Sequence, residues 1–352
     1  VTANIAPVVF DGHNDVLLKL YRAGGVGSAE TFVSGCAGHV DLPKARGGGL
    51  AGGFFAVFVP SAEDGRDMDA EMRQPAYDLP LPVTLDQGEA LKVALEQAAI
   101  LYRLEELGAL KICRSVAEIR DCIATGVLAA VFHMEGAEAI GLDLAALETL
   151  YRAGLRSLGP VWSRPTAFGE GVPFRFPGDG DTGGGLTDAG KGLVRRCNAL
   201  GILVDLSHMT MAGFWDVARI STAPLVASHS NAHALCPHAR NLTDAQLEAI
   251  RDSDGLVGLN FAVAFLREDG RMLDTGLDAM LRHLDHLLDR LGETRVGLGS
   301  DFDGATIPSD IGTAAGLPAL RRAMTRHGYG DELIEGICHG NWLRVLEKTW
   351  GA

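Results

Sequence analysis

An imidazole and a carboxylate stand two residues apart at the end of an apolar run, in Val8-Val9-Phe10-Asp11-Gly12-His13-Asn14-Asp15. Along an extended strand, residues i and i+2 face the same way. His13 and Asp15 would therefore project together from a strand end, as a nitrogen and oxygen pair suited to a divalent transition metal such as zinc. The arrangement recurs. Glu135 ends the run 127–136, His208 ends 202–208, His229 lies at the end of 224–230, and Asp301 ends 295–301. By strict alternation Val204, Leu206 and His208 share a face, as do Leu225, Ala227 and His229.

Three histidines and three carboxylates exceed what one tetrahedral zinc requires. They suit a two-metal site with one bridging carboxylate, which would hold a water as a nucleophile near neutral pH. Taken singly, each of these residues would be a polar strand end satisfied by its neighbours. The weight lies in six of them falling at strand ends. Asp11 and Asp205 also lie near strand ends and are expected to support the ligands or the fold. His133 shares the parity of Glu135 and is expected to support rather than ligate. His39, His238, His283, His286, His327 and His339 fall in loops or helices and are read as surface or structural.

Such residues converge only if the strands are neighbours. Apolar runs at 8–15, 52–60, 127–136, 155–162, 202–208, 224–230, 255–260 and 295–301 read as eight strands. Helical periodicity separates them, at 85–107, 116–125, 143–153, 187–200, 212–221, 243–252 and 277–291, with closing helices at 317–327 and 331–349. Residues 24–48 and 163–186 read as loops, and 61–84 as a surface excursion. Eight β-α units imply one closed (β/α)8 barrel over 1–352, with chemistry at the C-terminal ends of the strands. An open doubly wound sheet would want a glycine-rich phosphate loop after the first strand. His-Asn-Asp stands there instead.

Composition excludes several classes. The net charge of −14 over 352 residues disfavours nucleic acid. No apolar stretch is long enough to span a membrane, no signal peptide is visible, and the C-terminal residues carry no lipid-anchor pattern. The chain does not begin with Met, so trimming is compatible with it. The six scattered cysteines form no C-x-x-C and read as buried free thiols, which points to a cytoplasmic location.

Asp11-Gly12-His13-Asn14-Asp15, Glu135-Gly136, Leu206-Ser207-His208, Ser228-His229-Ser230, Arg240-Asn241, Gly299-x-Asp301-Phe302-Asp303-Gly304 and Gly340-Asn341-x-x-Arg344-Val345 together resemble the membrane dipeptidase family, a branch of the metal-dependent amidohydrolases. The resemblance keeps motif order from first strand to last helix. It implies a distorted barrel with two zinc ions, one on His13 and Asp15, the other on His208 and His229, with Glu135 bridging. It implies that Arg240 holds the substrate's C-terminal carboxylate. Asp301 would handle the proton of a metal-bridging hydroxide; Asp303 shares its parity, and the motif favours Asp301. The substrates implied are small dipeptides, with tolerance for a C-terminal D-residue, and a homodimer is compatible. One departure stands out: Trp162 takes the place of a histidine that contacts the polarised carbonyl in better-known members. Either Arg164 serves there, or the substrate is seated differently. Hydrolysis of another small amide, such as an N-acyl amino acid, is the alternative, and a barrel that binds metal without catalysis is a third reading.

Overall fold

Eight parallel strands follow one another around a single axis in chain order. They are β1 (Val9–Asn14), β2 (Leu50–Phe58), β3 (Leu128–Glu135), β4 (Leu155–Gly159), β5 (Leu203–Val204), β6 (Val226–Ala227), β7 (Leu256–Asn260) and β8 (Val296–Gly299). This computed structural model describes residues 8–62 and 65–351. β8 pairs back onto β1 through Asp11 opposite Leu298. Between β5 and β6 the backbones are joined, among the described residues, by the bridge from Asp205 to Val226 and the Leu206 N–H donating to the Val226 carbonyl at 2.8 Å. The fold is a distorted (β/α)8 barrel, loosest where two of the expected ligands emerge.

Alternation sorts side chains into two layers. Leu128, Ala130, Phe132 and Met134 pack outward beneath the helices. Ala129 and Val131 face inward with Phe10, Phe54, Leu203, Val226 and Leu256. The same inward parity carries His133 and Glu135 to the barrel mouth. The opposite end is closed by Trp342 from the last helix, Asn341–Trp350. Its indole N–H donates to the Leu298 carbonyl at 2.9 Å, and its ring packs 5.1 Å from Phe54. A side chain at Gly12 or Gly297 would strike this indole, so these strand glycines leave the room that the plug occupies.

The helices begin where side-chain caps allow. Asp86, Ser115, Thr187 and Thr210 each accept a backbone N–H of the first turn they open. Two expectations need correction. Residues 24–48 are not simply a loop. They hold short helical pieces, including Ala29–Ser34 and Leu42–Gly48, the latter opened by Asp41 accepting from the Lys44 N–H with Pro43 in the first turn. The excursion at 61–84 and the loop at 163–186 are tied together by a two-stranded antiparallel ribbon, Tyr77–Asp78 with Arg175–Phe176. A ninth short strand, Leu110–Ile112, flanks β3 outside the ring. The six cysteines are free.

Candidate metal centre and active site

Glu135 ends β3 at the centre of the mouth, and its two oxygens face different partners. Oε2 lies 3.7 Å from His13 Nε2, which in turn lies 3.3 Å from Asp15 Oδ2. Oε1 lies 3.2 Å from His208 Nε2 and 3.4 Å from His229 Nε2. The two imidazoles approach each other to 3.1 Å. Two ligand-type groups thus share one carboxylate: His13, Asp15 and Glu135 on one side, Glu135, His208 and His229 on the other. All five residues are buried.

His208 and His229 reach this point by a route that alternation does not describe. Val204, Leu206 and Ala227 face outward, into the layer beneath the helices. Continued pairing would send both histidines the same way. Instead the ladders stop at Val204 and Ala227, and the chain turns back over the mouth. His208 sits at φ +67°, and Asp301 and Asp303 at +59° and +66°. Left-handed backbone costs energy for such residues and concentrates where function holds it in place.

Supporting contacts fix the rings. Ser163 Oγ lies 2.8 Å from His208 Nδ1, and Ser228 Oγ lies 2.6 Å from His229 Nδ1. Ser228 Oγ also donates to Asp205 Oδ2 at 2.5 Å. These partners leave both Nε2 atoms aimed at Glu135, the usual orientation of a metal-binding histidine. His133 stands beneath, its Nδ1 2.9 Å from Ser157 Oγ and its ring edge-on to His13. Asp11 ties β1 to β8 by accepting from the Ser300 N–H and hydroxyl, each at 2.7 Å.

The electrostatics suit a cation. Burial and the neighbouring Arg240 and His13 hold His208 well below the ordinary histidine range, and burial and His13 do the same for His229. Neutral imidazole is the ligating form. Burial alone would depress His13 too, but the Glu135 and Asp15 carboxylates outweigh it and lift His13 to about 10. Burial pushes Glu135 well above the usual carboxylate range and raises Asp301 as well. Buried acids this close demand positive charge between them. Neither ring nitrogen of His13 has a hydrogen-bond partner among the described residues. The donor set fits bound divalent metal.

Asp301 Oδ2 accepts from Asn260 Nδ2 at 3.0 Å and faces the metal-side cluster. Asp303 is otherwise engaged, its carboxylate accepting from Lys19 Nζ at 2.8 Å and from the His39 N–H at 2.6 Å. Arg240 is buried, with Nη2 donating to the His229 carbonyl at 3.1 Å. Its Nε has no partner among the described residues. His238 positions it by accepting the Arg240 N–H at 3.0 Å. Trp162 forms a wall, its ring 5.8 Å from His208 and 5.7 Å from Phe174. Arg164 requires correction as a substrate-binding residue. It is fully buried, and Nε, Nη1 and Nη2 donate to Glu138, Ser61 and the Val59 carbonyl, so it braces the loop instead of meeting substrate. Sequence reasoning assigned no role to Ser163 or Asn260, and it read His238 as surface or structural. Of the supporting serines, only Ser228 is adjacent to the ligand it holds. A cavity of about 370 Å³ lies over the cluster, with Asp15, Glu135, His208 and Asp301 in its floor and Met72, Phe174 and Phe265 above.

Residues 5–350 match the model of the membrane dipeptidase family, peptidase family M19. The chain belongs to that family. As a membrane dipeptidase relative it is a metal-dependent hydrolase acting on peptide bonds. It is 56% identical to a Rhodobacter sphaeroides metallopeptidase whose crystal structure holds a phosphinate mimic of the dipeptide L-Ala-D-Ala. The TM-score is 0.96, over 98% of this chain and all of that one. A Klebsiella pneumoniae protein described as uncharacterized, in the pqqA 5′ region, is 48% identical over 75% of this chain and 98% of its own length. The probable dipeptidase PvdM of Pseudomonas aeruginosa, at 23% identity, shares the fold, with a TM-score of 0.83 over 98% of this chain and 96% of that one. Among the described residues no helix of this dipeptidase is long and apolar enough to cross a membrane.

Proposed function

We propose that this chain hydrolyses dipeptides, including those with a C-terminal D-residue, with two zinc ions held by His13, Asp15, Glu135, His208 and His229. The observation that carries the reading is the division of the Glu135 oxygens between two sets of ligand atoms, 3.2–3.7 Å away. Tolerance for a D-residue is supported by the L-Ala-D-Ala mimic in the Rhodobacter relative. When bound, a metal pair of this kind polarises a carbonyl and activates a water at neutral pH.

The chain's own residues do the rest. Asp301, oriented by Asn260, takes a proton from the attacking water and returns it to the leaving amine at the same carboxylate. A carboxylate held beside the ligand cluster by Asn260 can both accept and donate that proton. Arg240 binds the C-terminal carboxylate. Burial lowers its pKa only to about 10, so it stays cationic at neutral pH, and its free Nε offers a donor. Trp162 supplies a wall that excludes water, and its indole carries no charge for the carbonyl.

The test is metal analysis joined to a substrate panel. Purified protein should carry about two zinc equivalents, lose turnover of L,L- and L,D-dipeptides on chelation, and regain it with zinc. Zinc-loaded protein that cleaves no dipeptide would overturn the proposal.

A further inference from the structure

A second cavity, of about 330 Å³, opens beside the one over the metal centre and shares Met68, Trp162 and Phe174 with it. Its remaining wall is chiefly the apolar segment 79–85, with Pro173 also on the wall and Arg66 as its one charged member among the described residues. Proline at two of these positions removes backbone N–H donors that an apolar wall would leave unsatisfied. The serine and arginine side chains on the wall already have partners: Ser61 Oγ accepts from Arg164, Ser163 Oγ bonds His208, and Arg66 is itself engaged. The ribbon of Tyr77–Asp78 with Arg175–Phe176, extended by the Leu79 N–H donating to the Phe174 carbonyl at 2.9 Å, holds this segment at the barrel mouth.

We propose that this cavity receives the side chain of the substrate's N-terminal residue, so that the enzyme favours dipeptides with a large apolar residue there. The inference rests on the dipeptidase reading of the metal centre. Orientation follows from a row of rings. Arg240 lies 5.5 Å from the Phe265 ring, Phe265 stacks on Phe174 at 6.1 Å, and Phe174 meets Trp162 at 5.7 Å. The residue anchored by its carboxylate at Arg240 is therefore on the far side of Phe174 from the cavity. The residue across the scissile bond is the one that can reach it. An apolar group entering a preformed apolar pocket beside the reacting carbonyl strengthens binding without touching the metal ligands.

The zinc-loaded enzyme is assayed on Phe-Ala and Leu-Ala against Gly-Ala, with Ala-Phe against Ala-Gly as the reverse pair. Phe-Ala should exceed Gly-Ala in kcat/KM by about 10- to 100-fold. Leu81→Glu, in a half-buried loop position, should cut that ratio about tenfold and leave the Ala-Phe to Ala-Gly ratio in place. Val83→Glu, on the rim at 79% exposure, is a second variant that keeps the fold and should act in the same direction. Dipeptide turnover without an N-terminal apolar preference, or a ratio unmoved in both variants, would overturn the subsite and leave the metal centre standing. No turnover of any dipeptide by the wild type would overturn both.

Discussion

The two ends of the barrel are built from the same eight strands and do opposite things. At the closed end Trp342, Phe10 and Phe54 pack ring against ring, around strand glycines that make the space. At the open end Glu135, His13, His208 and His229 crowd polar groups into an equally buried place. The closed end gains its stability from apolar burial. The open end takes charged and polar groups out of water, which costs stability that apolar packing does not. The contrast shows how stability and chemistry divide along one axis, with β3 carrying Val131 to the first and Glu135 to the second.

The largest expected effect comes from removing the shared carboxylate. Glu135→Gln keeps shape and takes away the charge that both ligand sets face. Turnover of a dipeptide should fall by roughly 10⁴-fold, and metal content should fall below two equivalents. Thermal unfolding of the metal-free protein should stay near the wild-type temperature, since Asp15 still faces His13 and an amide costs less to bury than a carboxylate. A metal-free Glu135→Gln protein that unfolds well below the metal-free wild type would break the comparison, by making the open end a source of stability.

Trp342→Ala tests the other end. It removes a buried indole and leaves a hole bordered by Phe10, Phe54 and strand backbone. Loss of about 3–5 kcal/mol is expected in denaturant unfolding. Turnover per folded molecule should remain near wild type, because the plug lies at the end opposite the metal ligands. A large fall in kcat with stability unchanged would mean that the two ends are coupled.

Much of this division is legible in the sequence, though not all for the reasons alternation suggests. Strand parity places His133 and Glu135 on the inward face correctly, because β3 runs regularly to Glu135. For His208 and His229 the residues named are the ones that converge, yet parity alone points them outward. Their placement depends on ladders that end early and on a left-handed His208, which no periodicity encodes. Arg164 shows the converse. Its position beside Trp162 suggests substrate contact, and only the fold brings Glu138 and Ser61 to its guanidinium. The ribbon joining 77–78 to 175–176 stayed hidden because two residues per strand leave no pattern, and their pairing spans nearly a hundred positions.

Arg240→Ala gives the smallest of these effects and sharpens the comparison within the open end, by separating recognition from chemistry. The guanidinium is buried, braced by the His229 carbonyl and by His238, with Nε unpaired. A charge-assisted bond to a carboxylate is worth about 1.5–3 kcal/mol. KM for free-acid dipeptides should therefore rise about 10- to 100-fold, while KM for the corresponding dipeptide amides stays within about twofold of wild type. Metal content should be unchanged, since Arg240 offers no ligand atom. Equal losses on acids and amides would assign Arg240 to holding the His229 backbone in place, and the carboxylate clamp would have to be sought elsewhere.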